Sequence, residues 1–232
     1  MNFAIIPARS GSKRLPNKNI RDFEGAPVIT YSIRTALKSG LFDKVIVSTD
    51  SKEIAEIAKQ HGAEAPFLRP ASLAGDHTGT IPVLHHAEEW LKHNCGELSF
   101  GCCIYPVNPL LSTDALQRGH SDLIKDSKKD FAISVVRYGY PVQRSFKINH
   151  GNLEMLYPEK FSARSQDLEP IYHDAAQFYW WRAGSLTENT NFFSDKTIPI
   201  EIPEIRVQDV DNELDWQLMT LKYRLLCSQI TL

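Results

Sequence analysis

No stretch of the chain approaches the roughly 20 consecutive apolar residues that a membrane-spanning helix needs, so contact with a bilayer through such a helix is not expected. Met1-Asn2 lead straight into an apolar run, so a signal peptide is not expected. Cysteine is sparse. Cys95, Cys102, Cys103 and Cys227 form neither a C-x-x-C pair nor a disulfide framework, and the adjacent Cys102 and Cys103 in FGCCIY read as buried reduced thiols. A basic excess is also missing: the net charge is −2, which argues against a nucleic-acid partner. No internal repeat or low-complexity segment occurs. These absences together lead to the expectation of a cytoplasmic enzyme or binding protein that acts on small molecules.

What remains is ordinary globular material: 232 residues, 42% hydrophobic and 23% charged, enough for one large domain with a real core. FAII (3–6) and KVIVST (44–49) are compact apolar runs of the kind buried on both faces of a parallel sheet. Between them Ile29, Ile33, Ala36 and Leu37 recur at helical spacing up to Gly40. Asp50 and Glu53 read as a capping box for a helix with Ile54, Ile57 and Ala58 inward and Gly62 as its stop. Further on, the pattern predicts a helix over 80–93, a strand over 99–105, a helix over 113–126 and a strand over 131–136. Strands alternating with helices imply an α/β fold with a mostly parallel sheet and helices on both faces. From residue 138 the rhythm changes. SFKINHGNLEML (145–156) reads as a hairpin, a strand returns at QFYWW (177–181), and the last helix carries Leu214, Leu218, Leu221 and Leu225 on one face. The 138–175 segment is too short for a second domain and reads as an inserted arm or lid on a single domain.

The opening stretch IIPARSGSKRLPNKNI puts Arg9, Lys13, Arg14 and Lys18 on a Gly/Ser loop just after the first strand. Such a loop offers backbone N–H groups to an anion, lysines add point charges, and an arginine grips two oxygens at once. Its spacing is neither G-x-x-x-x-G-K-S/T nor G-x-G-x-x-G, so the two common phosphate fingerprints are excluded. From composition alone, a solvated basic loop and an anion site stand about equal. The run, however, resembles the I-P-A-R-G-G-S-K-x-I/L-P-x-K-N element of the cytidylyltransferases that activate nonulosonic acids as CMP-sugars, with Ser10 where the first glycine usually lies. The resemblance implies a Rossmann-like, nucleotide-diphospho-sugar-transferase-like fold with a small β-hairpin arm. It also implies that Ala8, Arg9, Ser12, Lys13, Lys18 and Asn19 line a CTP site. Enzymes that activate 3-deoxy-octulosonate usually carry A-R-x-x-S-T/S-R-L/F-P-G-K instead, whereas Asn17 stands between Pro16 and Lys18 here.

Other segments carry the same resemblance. LRPASLAGDHTGT (68–80) is similar to L-R-P-x-x-L-x-x-D-x-T/S, which implies that Arg69, Asp76, Thr78 and Thr80 shape the base and ribose side. Read alone, Asp76 to Thr80 is equally a run of helix-capping groups. IYPVNPLLS (104–112) lies just past a predicted central strand, where open α/β sheets bind ligands, and places Tyr105 and Asn108 at the pocket. In VQDVDNELDW (207–216), Asp209 and Asp211 at i and i+2 project to one side of an extended segment, a pairing that suits a hard cation. Asp211 or Asn212 can also cap the helix beginning near Glu213, and Asp215 reads as a surface or capping carboxylate. The family holds Mg²⁺ at this aspartate pair. ARSQDL (163–168) and YHDAAQFYWW (172–181) look like elements of the pseudaminic acid-activating branch, with Ala176 in place of a usual glycine. They imply Arg164, Gln166, His173, Asp174, Gln177 and Tyr179 as sugar contacts, beside Tyr105, although aromatic residues in such a strand are equally core material.

The reaction implied by the resemblance joins CTP to a nine-carbon 2-keto sugar acid and releases pyrophosphate. Arg9 and Lys18 would stabilise charge on the phosphates, and Mg²⁺ on Asp209 and Asp211 would make Asp211 part of the catalytic set. Sialic and legionaminic acids are alternative substrates, and a CTP-binding regulator without catalysis is a rival of another class. A homodimer, its arms reaching the partner, is the expected assembly.

Overall fold

The structure is a computed structural model and describes residues 1–12, 14–75 and 78–228. Ten strands and five helices occur among them: β1 (Asn2–Pro7), β2 (Asp22–Phe23), β3 (Ala26–Pro27), α1 (Ile29–Ser39), β4 (Lys44–Ser48), α2 (Lys52–Gln60), α3 (Thr80–Cys95), β5 (Phe100–Ile104), α4 (Thr113–Lys125), β6 (Phe131–Arg137), β7 (Phe146–Asn149), β8 (Asn152–Met155), β9 (Tyr172–Arg182), β10 (Thr197–Glu201) and α5 (Glu213–Ser228). Six strands form one sheet in the order β10-β6-β9-β5-β1-β4. β4, β1 and β5 run parallel to one another, as do β10 and β6. β9 lies between the two groups, antiparallel to both β5 and β6. The sheet is therefore mostly parallel, and one central strand reverses it.

The apolar runs end up where burial on both faces demands them. Ala4, Ile6, Val45, Val47, Cys102 and Trp180 face one core layer, and Phe3, Ile5, Ile46, Cys103 and Trp181 face the other. Cys102 and Cys103 are buried free thiols, and burial pushes both well above the ordinary thiol range. Among the described residues no helix is long and apolar enough to cross a membrane.

Four departures from the sequence reading have physical causes. The cap of α2 is Ser51, whose Oγ accepts from Ile54 N, and Asp50 is drawn away to bond Ser10. The edge strand β10 escapes the pattern because Pro199 sits in its middle, a residue that an edge strand tolerates and a central strand does not. β9 starts at Tyr172, five residues before its apolar run, so residues 172–175 of the expected arm belong to the main sheet. Leu214, Leu218, Leu221 and Leu225 of α5 face outward. The inward face is instead Trp216, Met219 and Tyr223, because Trp216 and Tyr223 meet Phe23 edge to face at 5.7 and 5.1 Å. The hairpin β7–β8 pairs only with itself and stands off the main sheet.

The large indoles of β9 dictate small residues opposite them. A Cβ on Gly101 would lie 2.2 Å from Trp181 Cζ2 and 2.7 Å from Phe3 Cζ. Gly101→Ala should therefore cost about 1–3 kcal/mol by overpacking, read as a lower urea midpoint. An unchanged midpoint would mean that the two rings shift aside without loss.

Candidate functional site

The loop after β1 turns back on itself through Asn17, whose φ of 54° is left-handed, a conformation asparagine tolerates better than most residues. That turn carries Lys18 across to the segment before α5, where its Nζ donates to the Val210 carbonyl at 2.7 Å. Arg14 reaches the same segment and pairs with Asp211 at 2.6 Å. Burial lowers the Lys18 ammonium below its usual range, with Asp211 and Asp209 opposing the shift. Asn19 is buried and donates from Nδ2 to the Arg9 carbonyl at 2.8 Å, bracing the loop from inside. Ser10, at the position of the usual glycine, donates from N and Oγ to the two oxygens of Asp50 at 2.9 and 2.7 Å. Burial alone would raise Asp50. The Ser10 bonds outweigh it and hold the carboxyl below its ordinary value.

The segment before α5 is held by reciprocal capping. Asn212 Oδ1 accepts from Asp215 N at 3.1 Å, while Asp215 Oδ2 accepts from Asp211 N and Asn212 N at 2.9 and 3.1 Å. Capping thus falls to Asn212 and Asp215, and the Asp211 carboxylate is left for cations. Asp209 and Asp211 both face the cavity described next, and two carboxylates there suit a hard cation that shares phosphate oxygens as its other ligands.

These elements border a cavity of about 680 Å³ at the C-terminal ends of β1 and β5. Arg9, Ser12, Lys18, Asn19, Arg69, Thr78, Thr80, Tyr105, Asn108, Asp174, Gln177, Tyr179, Asp209 and Asp211 all line it. Arg69 is buried, its guanidinium donating to the Ser48 Oγ and carbonyl, which fixes it against the end of β4; burial lowers its pKa. Thr80, the first residue of α3, shares a 2.9 Å hydrogen bond with the Tyr105 hydroxyl. Burial pushes Tyr105 up to about 12 and raises Tyr179 as well, so both phenols stay protonated near neutral pH and Tyr179 donates to Asp174. Asn108 is buried and donates to the Gln177 carbonyl at 3.2 Å.

Other expected contacts lie elsewhere. Ala8 is buried in the core, its N–H donated to the Ser48 carbonyl at 3.0 Å. Arg164 forms a bidentate pair with Asp167 on the exposed arm. Gln166 lines a separate cavity of about 510 Å³ at the base of the arm. The His173 ring lies tilted against Tyr138, with centroids 4.6 Å apart. Within one chain, then, Arg164, Gln166 and His173 do not join the main cavity. Lys13 and Asp76 lie outside the described residues. Sequence reasoning missed Arg14, Ala176 and Gln208 as cavity residues. Only Arg14 left a signal, its place in the basic run.

Comparison with known proteins gives the family. A family model described as cytidylyltransferase matches residues 3–196. A pseudaminic acid cytidylyltransferase of Campylobacter jejuni is 38% identical over 224 residues, 96% of each chain. A CMP-N,N'-diacetyllegionaminic acid synthase of Legionella pneumophila is 35% identical over 225 residues, 93% of each. In fold, a CMP:2-keto-3-deoxy-manno-octonic acid synthetase complexed with CTP superposes with a TM-score of 0.68 at 18% identity, over 98% of both chains.

The Ser10–Asp50 link makes a pH-dependent prediction. A carboxyl depressed in the folded state contributes stability above its unfolded value of about 3.9, and that contribution disappears as pH falls through the folded value. Ser10→Ala should therefore cost roughly 1 kcal/mol at pH 7, and the cost should shrink as pH falls below about 3.9 and through the folded value, by urea unfolding. A loss that does not change with pH across that acid range would contradict the assignment.

Proposed function

Because the chain belongs to the cytidylyltransferase family, we propose that this CTP-utilising nucleotidyltransferase joins CMP to the anomeric hydroxyl of a nonulosonic acid, pseudaminic acid first, and releases pyrophosphate. The observation that carries the reading is the single cavity in which the cationic loop, the Asp209–Asp211 pair and the polar wall of β9 meet. It offers room for a nucleotide and a sugar acid side by side. The Campylobacter relative, together with the ARSQDL and YHDAAQFYWW segments, favours pseudaminic acid. The Legionella relative makes a legionaminic acid the second reading.

The work asked of the protein is positioning and charge stabilisation. Arg9, Ser12 and Lys18, with Lys13, hold the triphosphate. Arg69, Thr78 and Thr80 hold the base and ribose, and Asn108 braces the floor. Tyr105, Asp174, Gln177 and Tyr179 orient the sugar so that its anomeric oxygen stands in line with the α-phosphorus and pyrophosphate opposite. Lys18 sits where charge builds on the phosphate oxygens, and its contact with the Val210 carbonyl keeps it aimed there. Asp209 and Asp211 are the residues that would hold Mg²⁺. The chemistry of the donors fits: two carboxylate oxygens, with no cluster of three or more His, Cys, Asp or Glu among the described residues, leave the remaining positions to phosphate and water. When bound, such an ion neutralises triphosphate charge and acidifies a nearby hydroxyl.

Assembly and place follow the same reading. The arm exposes Ile148, Leu153 and Phe161, and a lone two-stranded hairpin is marginal in water by itself. We take the arm to pack on a second copy in a homodimer, bringing Arg164, Gln166 and His173 to the partner's sugar end. The cytoplasm is the compartment proposed, since CTP is made there.

Mg²⁺-dependent pyrophosphate release should occur with pseudaminic acid and fall at least tenfold with sialic and legionaminic acids in parallel assays. Turnover confined to legionaminic acid would reverse the order of the two readings. Asp211→Asn should lower kcat on the order of 100-fold. Near-normal turnover with an unshifted Mg²⁺ requirement would remove Asp211 from the site. Light scattering should give twice the mass of one chain; a strict monomer would refute the dimer.

A further inference from the structure

Gln177 is 3% exposed and lines the main cavity, yet its Oε1 has no hydrogen-bond partner. The orientation of its amide is not arbitrary. Nε2 meets the Arg206 carbonyl at 2.5 Å, and a carbonyl can only accept, so the NH₂ must point there and the oxygen elsewhere. The rest of the residue is locked. Its N–H donates to Ser134 Oγ at 3.1 Å, and its carbonyl accepts from Tyr105 N at 3.1 Å and Asn108 Nδ2 at 3.2 Å. A bulge creates this arrangement: the register of β6 against β9 shifts between Ile133 and Val135, and Ala176 takes a left-handed φ of 49°. The neighbouring acceptor, Asp174, is satisfied by Ala176 N at 2.8 Å and by the Tyr179 hydroxyl. Among the described residues of the cavity wall, Gln177 Oε1 is thus the buried side-chain acceptor left without a protein donor, a state that is costly unless a ligand or an ordered water supplies one.

Position indicates which part of the ligand. Arg69 is fixed against Ser48 at the end of β4, and Gln177 lies on β9, three strands across the sheet. At about 4.8 Å per strand the two are separated by roughly 14 Å, opposite ends of a nucleotide-plus-sugar site. The donors that a sugar acid offers are its uncharged hydroxyl O–H and acylamido N–H groups, and a neutral amide oxygen is an acceptor for either.

We infer that Gln177 Oε1 is a specificity contact that accepts a hydrogen bond from one uncharged donor, an acylamido N–H or a hydroxyl, on the acceptor sugar. The inference rests on the sugar-acid acceptor proposed above. A site built to meet a donor rejects the analogue that lacks it far more strongly than a site that merely fits a shape.

The test uses the whole 232-residue chain and a panel of sugar acids, each lacking one donor: every hydroxyl except the reacting anomeric one in turn as its deoxy form, and every acylamido N–H in turn as its N-methyl form. One member should lose roughly 10- to 100-fold in kcat/KM with wild type while the KM for CTP stays put. Whether that member is deoxy or N-methyl identifies the donor. Gln177→Met, which keeps length but not the acceptor, should turn over that analogue and the parent sugar within about twofold of each other. A purely structural role would slow every sugar equally, and that result overturns the inference. So does a rise in the KM for CTP with no change in sugar discrimination, which would assign Oε1 to the cytosine amino group. Should Gln177→Met fail to fold, the wild-type panel still decides, because no single deletion above twofold refutes the contact. If wild type binds CTP but turns over no sugar acid, the proposed function and this inference fall together; wild-type turnover without discrimination sinks the inference alone.

Discussion

Two contacts across almost the whole chain length hold the site together: Lys18 on the Val210 carbonyl and Arg14 on Asp211, spanning 192 and 197 residues. Both join a cationic loop at the start of the chain to an acidic segment near its end. Without the acidic segment, Arg9, Arg14 and Lys18 would repel one another on a loop rich in small residues. Lacking the loop, Asp209 and Asp211 would be two carboxylates facing one cavity. Each half supplies the counter-charge that lets the other stay ordered. The exposed Arg14–Asp211 pair is energetically modest on its own. What makes the junction firm is the packing behind it, where Phe23, Tyr31, Trp216 and Tyr223 meet edge to face.

That aromatic cluster explains an otherwise odd feature of α5. Four leucines at heptad-like spacing face outward, whereas the inward face is aromatic. Phe23 comes from the small β2–β3 hairpin that follows the basic loop, and Arg21 beside it lies over the Trp216 ring and pairs with Glu213. The helix is docked through the hairpin, so the position of Asp209 and Asp211 is referred to the loop they serve rather than to the sheet.

Much of this was legible in the sequence, and the failures are instructive. Buried parallel strands announce themselves as continuous apolar runs, so β1, β4, β5 and β6 are found from pattern. β10 is not, since an edge strand faces water and can hold Pro199. The polar start of β9 hid for another reason: Tyr172, His173 and Asp174 break the apolar pattern, His173 lying against Tyr138 and Asp174 on the cavity wall. The motifs located most of the cavity wall, including Arg9, Lys18, Arg69, Asn108, Asp209 and Asp211. They could not reveal that Arg164 and Gln166 sit on an arm turned away from their own cavity, since where an arm lands depends on tertiary packing or on a second chain. The roles of Ser10 and Ala176 were illegible too. Each replaces a usual glycine, and only the fold shows that Ser10 gains a partner in Asp50 while Ala176 accepts a left-handed backbone.

The layout separates chemistry from choice. The basic loop and the aspartate segment come from the two ends of the chain and meet at the cavity. The polar wall that faces the proposed sugar comes from one antiparallel strand, β9, inserted between β5 and β6. Its side chains are set by a local bulge patched by the Ser134 hydroxyl, which bonds Gln177 N, Phe178 N and the Phe178 carbonyl. Asp174 bonds within β9, to Ala176 N and the Tyr179 hydroxyl, whereas Gln177 is tied through the Arg206 carbonyl to the segment that carries Val210 and Asp211, so a change at Asp174 is local and a change at Gln177 is felt at the Lys18 and Arg14 contacts as well. Relatives that are 35–38% identical over nearly the full chain bear the names of enzymes for different sugar acids. If the basic loop and the aspartate segment serve the triphosphate as proposed, a separate strand, β9, on which side chains can vary is a physical means by which one fold accommodates that variety.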